Sequence, residues 1–261
     1  MSLSEKTPPS IEKRLAGYGW DRITIGESSA RTYRLQRLGL PTFYLKIDRL
    51  LPVSVLLEEK EVLEWLSGRL PVASVVAFDG DADNDYLLMS EVPGSNAADL
   101  AGRMDNAALA TLLGRGLQML HRVDIANCPF DRSLDKEIQL ARSNVDQGLV
   151  HEWDFDEIRR GKKAEELLVD LLLLRPDSED LVFAHGDYCL PNVMIDGERV
   201  SGFVDLSRAG VSDRYRDIAL AVRSMRSNLG EGFDSIFFFA YGLAEPDFKK
   251  IEYYQLLDEF F

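Results

Sequence analysis

The chain has 261 residues, 46% hydrophobic and 28% charged, with 30 Lys and Arg against 44 Asp and Glu for a formal net charge of −14. That composition excludes a disordered chain, and its sign excludes nucleic acid and anionic membranes as partners, since both call for clustered cations. Cys128 and Cys189 are too few for a disulfide framework, and with no apolar run of about 18 residues and no apolar leader in MSLSEKTPPS, a cytoplasmic protein is expected.

Three short runs rich in β-branched and aromatic residues, DRITIG, RTYRLQRL and TFYLKID, follow one another between residues 21 and 48. Gly26, Gly39 and Pro41 punctuate them, so they are expected to be strands joined by turns. Pro52 suits a first helical turn, and VSVLLEEKEVLEWLSG carries apolar residues at helical spacing until Gly68 and Pro71 end it. ASVVAF and DYLLMSEV then flank the turn DGDADN as two further strands. From about residue 97 the apolar period changes to three and four. Helices are expected over AALATLLGRGLQMLHRV, AEELLVDLLLL, IALAVRSMR and KKIEYYQLLDEFF. Short strands and loops interrupt them at LVFAHGD, PNVMIDGER and VSGFVDLSR, with Asp196 and Gly197 as a hairpin turn. The fold class expected is α+β, with a small sheet and one helix before Pro93–Asn96 and a larger, mainly helical part after it.

The run HGDYCLPN, residues 185 to 192, belongs in a loop, because Asp187 and Asn192 suit neither helix nor strand interiors. An Asp so placed can accept a proton from a hydroxyl nucleophile, and an Asn five residues on can offer a carbonyl oxygen to Mg²⁺. Asp205 follows the apolar run VSGFV, where a hairpin return brings it back beside the loop. This is the kinase spacing of catalytic Asp, four residues, Asn, then a metal-binding Asp. Gly186 stands where a protein kinase has Arg, and LSR follows Asp205 where it has Phe-Gly. His185 is expected to orient the backbone.

A phosphoryl-transfer site also needs a cation for nucleotide phosphates. In TFYLKID the period of two puts Phe43, Leu45 and Ile47 on one face and Tyr44 and Lys46 on the other. Glu59 is the charged member of the helical stripe Leu56, Glu59, Leu63, Leu66. Burying it unpaired would cost roughly several kcal/mol, so Lys46 is its expected partner. The loop IGESSAR lacks GxGxxG, although Ser28 and Ser29 can cover phosphates, and no GxxxxGK[ST] occurs, so a P-loop is excluded.

Together YLK, EWLSGRLPV, LLMSEVPG, HGDYCLPN, SGFVDLSRAGVSDRYRDIALAVRS and YYQLLDEFF resemble the aminoglycoside 3'-phosphotransferases, a bacterial antibiotic-resistance group with a protein-kinase-like fold. The resemblance covers nearly the whole chain, and LLDEFF separates it from choline kinases, which share the HGD, Asn and Asp core. It implies residues 1–93 as a nucleotide-binding lobe and 94–261 as a lobe for catalysis and the antibiotic, with ATP and Mg²⁺ bound between them. Asp187 is then catalytic, Asn192 and Asp205 are metal ligands, Lys46 contacts phosphate with Glu59 as its partner, Tyr44 stacks on adenine, and backbone groups from Ser90 to Val92 meet the adenine edge. The same resemblance assigns the antibiotic to Asp154, Asp156 and Glu157 of HEWDFDE and to Asp258, Glu259 and Phe261 of the ending, with Arg208 and Arg223 nearby. Ser227 and Asn228 depart from the carboxylates expected there, which bears on substrate range. The expected partner is a polycationic aminoglycoside, with no nucleic acid and no membrane, and the chain is expected as a monomer or weak dimer. Two alternatives stand beside this reading: a kinase of another small cationic alcohol such as choline, and a kinase-like binding module without catalysis.

Overall fold

A computed structural model describes residues 5–24, 30–51 and 54–261. The chain divides into two compact units, one made of the chain up to Asn96 together with Pro191–Ser207, the other of Ala97–Leu190 and Arg208–Phe261. In the first unit a short helix α1 (Pro9–Glu12) precedes strands β1 (Gly19–Ile23), β2 (Arg31–Gln36) and β3 (Phe43–Arg49), then helix α2 (Val55–Leu66) and strands β4 (Val75–Gly80) and β5 (Asn84–Ser90). The five strands form one antiparallel sheet in the order β1-β2-β3-β5-β4. The three early strands, the helix and the two flanking strands are thus present as the sequence predicts. The period of two sorts β3 as expected: Leu45 and Ile47 are buried in a cluster with Ile11, Leu15, Tyr33, Leu35 and Leu88, against which Phe43 packs. Helix α2 starts at Ser54, whose hydroxyl accepts the Leu57 N–H at 3.0 Å. Pro52, read as part of the first turn, lies outside the described residues.

Pro93–Asn96 does more than connect. Ser95 and Asn96 form strand β6 (Ser95–Asn96), which pairs later in the chain with Ile195 and Met194. The second unit then begins with α3 (Ala97–Leu100), α4 (Asn106–His121), α5 (Leu134–Asp146) and α6 (Ala164–Leu173), followed by strand β7 (Leu181–Ala184). The hairpin of β8 (Val193–Asp196) and β9 (Arg199–Phe203) turns at Gly197, whose φ is +62°, and belongs to the first unit through β6 and a bridge from Val72 to Phe203. Back in the second unit, β10 (Gly210–Asp213) pairs with β7 and leads into α7 (Arg214–Leu229), α8 (Asp234–Tyr241) and α9 (Phe248–Asp258). Helix α4 packs closely on α8. A Cβ at Gly114 would meet the Phe237 carbonyl oxygen at 2.5 Å, so this crossing requires glycine.

Helices α5 and α8 carry no expectation from the sequence. In α5 the buried face mixes Leu134, Ile138 and Ala141 with the carboxylate of Glu137, which pairs with buried Arg216 at 3.0 Å, so apolar residues alone understate its periodicity. In α8 the run IFFF is apolar on every side, with Phe237 buried and Phe239 exposed, and no period stands out. Among the described residues no helix is long and apolar enough to cross a membrane.

Candidate active site

The first unit assembles a charged cluster around Lys46. Pleating turns Lys46 away from the cluster that buries Leu45 and Ile47, and α2 places Glu59 opposite it, buried among Leu56, Val62, Leu63 and Leu66. Lys46 Nζ lies 2.7 Å from both Glu59 carboxylate oxygens and 2.8 Å from Asp205 Oδ1. Burial works against the ammonium, but the Asp205 and Glu59 carboxylates prevail and hold its pKa above the ordinary lysine value. Asp205 itself sits at φ +61°, a left-handed conformation that Asp tolerates better than most residues and that departs from the strand direction of β9. The Val204 N–H donates to the Asn192 carbonyl at 3.1 Å, so the hairpin return brings the backbone beside Asp205 back to Asn192, as the sequence predicts.

Nearby on the same sheet, Tyr44 is half-buried opposite Met89. The Ser90 N–H donates to the Ser74 carbonyl at 2.9 Å and the Glu91 N–H to the Thr42 carbonyl at 3.3 Å. Val92 is the amide of this run with no backbone hydrogen bond among the described residues. Ser28 and Ser29, expected near the phosphates, lie outside the described residues.

The second unit builds the HGDY loop on a buried carboxylate. Asp217 of α7 is wholly buried and accepts the N–H groups of His185 at 2.6 Å and Gly186 at 2.8 Å. His121 of α4 lies with Nε2 3.0 Å from Asp217 and Nδ1 2.8 Å from the Tyr241 hydroxyl. Burial alone would raise the Asp217 carboxyl, yet hydrogen bonds from His121 and the His185 backbone keep it below the ordinary carboxylate range. Gly186 takes φ +82°, and a Cβ there would meet the Arg208 carbonyl oxygen at 2.2 Å, which explains glycine where a protein kinase has arginine. Tyr188 is buried, donating its hydroxyl to the Leu113 carbonyl at 2.8 Å, and the Leu190 N–H donates to the Ser224 hydroxyl at 3.0 Å. His185 accepts the Asp187 N–H at 3.3 Å, in the orienting role expected of it. Between buried Gly186 and Tyr188, Asp187 alone remains half-exposed. A carboxylate fixed this way can accept a proton from a hydroxyl without reorganising the loop.

Asp217 and His121 carry no role from the sequence alone. The signal for Asp217 is the one that marked Glu59: a carboxylate on an otherwise apolar helical stripe, here with Leu220 and Ala221.

The ending of the chain forms the second charged cluster. Arg208 Nη2 lies 2.9 Å from Asp258 Oδ1, and its guanidinium stands 5.0 Å over the Phe261 ring. Arg223 donates to Asp258 and lies 3.7 Å from Glu259. Burial opposes the Asp258 charge, but Arg208 and Arg223 hold its carboxyl below the ordinary range. The Arg208 pKa is raised in turn, with burial overcome by Asp258 and then by Asp187, so Arg208 feels both carboxylates. Asp156 joins this cluster, donating its N–H to Glu259 Oε2 at 3.1 Å and pairing with Arg159. Asp154 and Glu157 are exposed, and among the described residues neither makes an ion pair. The expectation of three acids from HEWDFDE therefore meets one in the cluster and two on the exposed side of the same loop. Asn228 donates its side-chain amide to the Ser224 carbonyl at 2.8 Å, closing on its own helix.

A profile of the phosphotransferase enzyme family matches residues 22–254. The aminoglycoside 3'-phosphotransferase of Niallia circulans is 40% identical, the match covering 99% of this chain and 100% of that one. Among solved structures, an aminoglycoside-3'-phosphotransferase of type VIII superposes with a TM-score of 0.88 at 35% identity, covering 97% of each chain. An aminoglycoside phosphotransferase of Streptomyces rimosus, solved in complex with ADP and streptomycin, superposes with a TM-score of 0.81 at 28% identity, covering 96% of this chain and 95% of that one.

Proposed function

Because the chain belongs to the phosphotransferase enzyme family, among its aminoglycoside 3'-phosphotransferases, we propose that it moves the γ-phosphoryl group of MgATP to the 3'-hydroxyl of aminoglycosides such as kanamycin. The observation that carries this reading is Lys46, a largely buried ammonium shared by Glu59 and Asp205. In phosphoryl transfer such a lysine meets the nucleotide phosphates while the helix glutamate keeps it aimed. Tyr44 offers its ring to the base, the Val92 amide and the Ser90 carbonyl its edge contacts, and Ser28 a hydroxyl to the phosphates. Asn192 and Asp205 offer only oxygen donors, which suits a small hard cation. They would hold Mg²⁺, whose contribution is to neutralise charge on the phosphates.

Asp187 orients the acceptor hydroxyl and takes its proton, and the loop behind it, tied by Asp217, resists displacement. Most of the rate enhancement comes from positioning and charge neutralisation, because the transition state for phosphoryl transfer is loose. The acceptor's ammonium groups find Asp156, Asp258 and Glu259, with Asp154 and Glu157 on the exposed side of the same loop and Arg208, Arg223 and Phe261 fixing the ending. Turnover with MgATP, kanamycin and choline side by side tests the reading, joined to growth of a susceptible bacterium on aminoglycosides with and without a 3'-hydroxyl. Protection confined to drugs bearing that hydroxyl is expected. Phosphorylation of choline alone, or no Mg-dependent turnover with any aminoglycoside, would sink it.

A further inference from the structure

The acidic loop before α6 and the end of α9 meet through one side chain that carries no role so far. Arg159 is 5% exposed. Its Nη1 donates to the Asp156 carboxylate and lies 3.4 Å from Glu259 Oε1, while Nη2 donates to the Glu252 carbonyl on α9 at 3.2 Å. Its own N–H donates to Asp156 as well, to the carbonyl at 3.0 Å and to Oδ1 at 3.1 Å. Asp156 and Glu259 are thus adjacent carboxylates, linked directly by the Asp156 N–H and bridged by a single guanidinium.

We propose that Arg159 is a positioning residue for the polycationic acceptor, holding Asp156 and Glu259 side by side and favouring their charged forms so that they set its affinity. This rests on the reading that the acceptor binds at these acids. Without the guanidinium, two neighbouring carboxylates with little access to water repel each other, and one is relieved by taking up a proton. A protonated carboxyl no longer attracts an ammonium. Burial and Asp156 already push the Glu259 carboxyl up, with Arg159 and Arg223 opposing. The groups facing Glu259 are Asp156 and Arg159 from the loop and Arg223 from α7, with Asp258 beside it on α9. A lysine at 159 would keep the charge but not the fork that reaches two carboxylates and a carbonyl together.

The test uses the full chain and follows kcat, the KM for kanamycin, the KM for ATP and the pH dependence of each, in the parent, Arg159→Met and Arg159→Lys. For Arg159→Met the kanamycin KM at pH 7 is expected to rise about ten-fold, the size of one charged hydrogen-bonding partner lost. The ATP KM and kcat stay within about two-fold. The kanamycin KM of this variant recovers only at higher pH than in the parent, and Arg159→Lys falls between the two. A kanamycin KM unchanged in Arg159→Met, or a loss spread over kcat and both KM values with no shift in the pH profile, overturns the proposal. Should Arg159→Met fail to fold, Asp156→Asn with Arg159→Met removes both charges of that pair; a raised kanamycin KM is expected there too, and a parental value overturns it. A parent inactive on every aminoglycoside would instead bring down the acceptor reading, and this inference with it.

Discussion

The Lys46 cluster and the cluster at the end of the chain both bury ionic groups, but they balance charge differently. Around Lys46 one ammonium faces two carboxylates, Glu59 and Asp205. Around the ending, Asp156, Asp258 and Glu259 face Arg159, Arg208 and Arg223. The first arrangement leaves one negative charge over, and so has capacity for a further cation such as a nucleotide's metal. In the second the numbers of acidic and basic groups match, and on the proposed reading affinity for a cationic acceptor depends on how its carboxylates are held more than on how many there are. The difference also concerns redundancy. Among the described residues Lys46 has no substitute beside Glu59, whereas Asp258 keeps Arg208 when Arg223 is lost.

The largest expected effect lies outside both clusters, at Asp187. Asp187→Asn keeps the side chain's size but removes the proposed base, and turnover should fall by about 10² to 10⁴. Nucleotide affinity, which the proposed reading assigns to the Lys46 cluster, should be unchanged. Steady-state turnover and calorimetric titration with nucleotide check this together. Normal turnover in the variant would remove Asp187 from the chemistry, and a matching loss of nucleotide binding would mean that the two functions do not separate.

Next in size is the contrast in redundancy. Lys46→Met leaves Glu59, 2% exposed, against Asp205 with no cation between them. Breaking such a pair costs about 3–5 kcal/mol. Arg223→Met strands nothing, since Arg208 still meets Asp258 at 2.9 Å, and a half-exposed pair contributes at most about 1 kcal/mol. Denaturant unfolding of the two variants should rank them in that order, and adding Glu59→Gln to Lys46→Met should recover part of the loss. Equal losses would mean that the count of carboxylates per cation does not govern the stability of these clusters.

How legible each cluster was in the sequence follows the same physics. Lys46 and Glu59 lie on elements whose periods are strong and Asp205 follows an apolar strand, so each stands out against its surroundings, while Asn192 was legible from its spacing to Asp187. The hairpin turn at Gly197 then fixes which backbone meets Asn192. Arg159 sits in HEWDFDEIRRG, a stretch with no period, and nothing local distinguishes it from Arg160, which is exposed. Only the return of α9, about a hundred residues later, selects one arginine over the other. Helix α8 escaped for a related reason, since an apolar run shows which side is buried only when a partner such as α4 covers it. Asp217 lay within reach of the stripe argument. Its role depends on where the HGD backbone passes, which sequence spacing does not reveal.

The smallest expected effect concerns Glu259, and it carries two opposite signs. Burial, then the Asp156 carboxylate, pushes the Glu259 carboxyl up to about 7 against the pull of Arg159 and Arg223. A carboxyl raised in the fold keeps its proton at pH values where the unfolded chain has lost it. Its favourable contribution to stability is therefore whole below the ordinary value of 4.5 and is lost as pH rises through about 7. Acceptor binding runs the other way, because the ammonium groups of an aminoglycoside are attracted to the carboxylate and not to the neutral acid. Between roughly pH 6 and 7.5 the kanamycin KM should fall while the melting temperature drifts down, and the ATP KM should stay level. Glu259→Gln should flatten both trends at once. A variant that flattened the melting curve while leaving the KM profile intact would place Glu259 in the fold alone, and the acceptor's pH dependence would then belong to the drug's own amines.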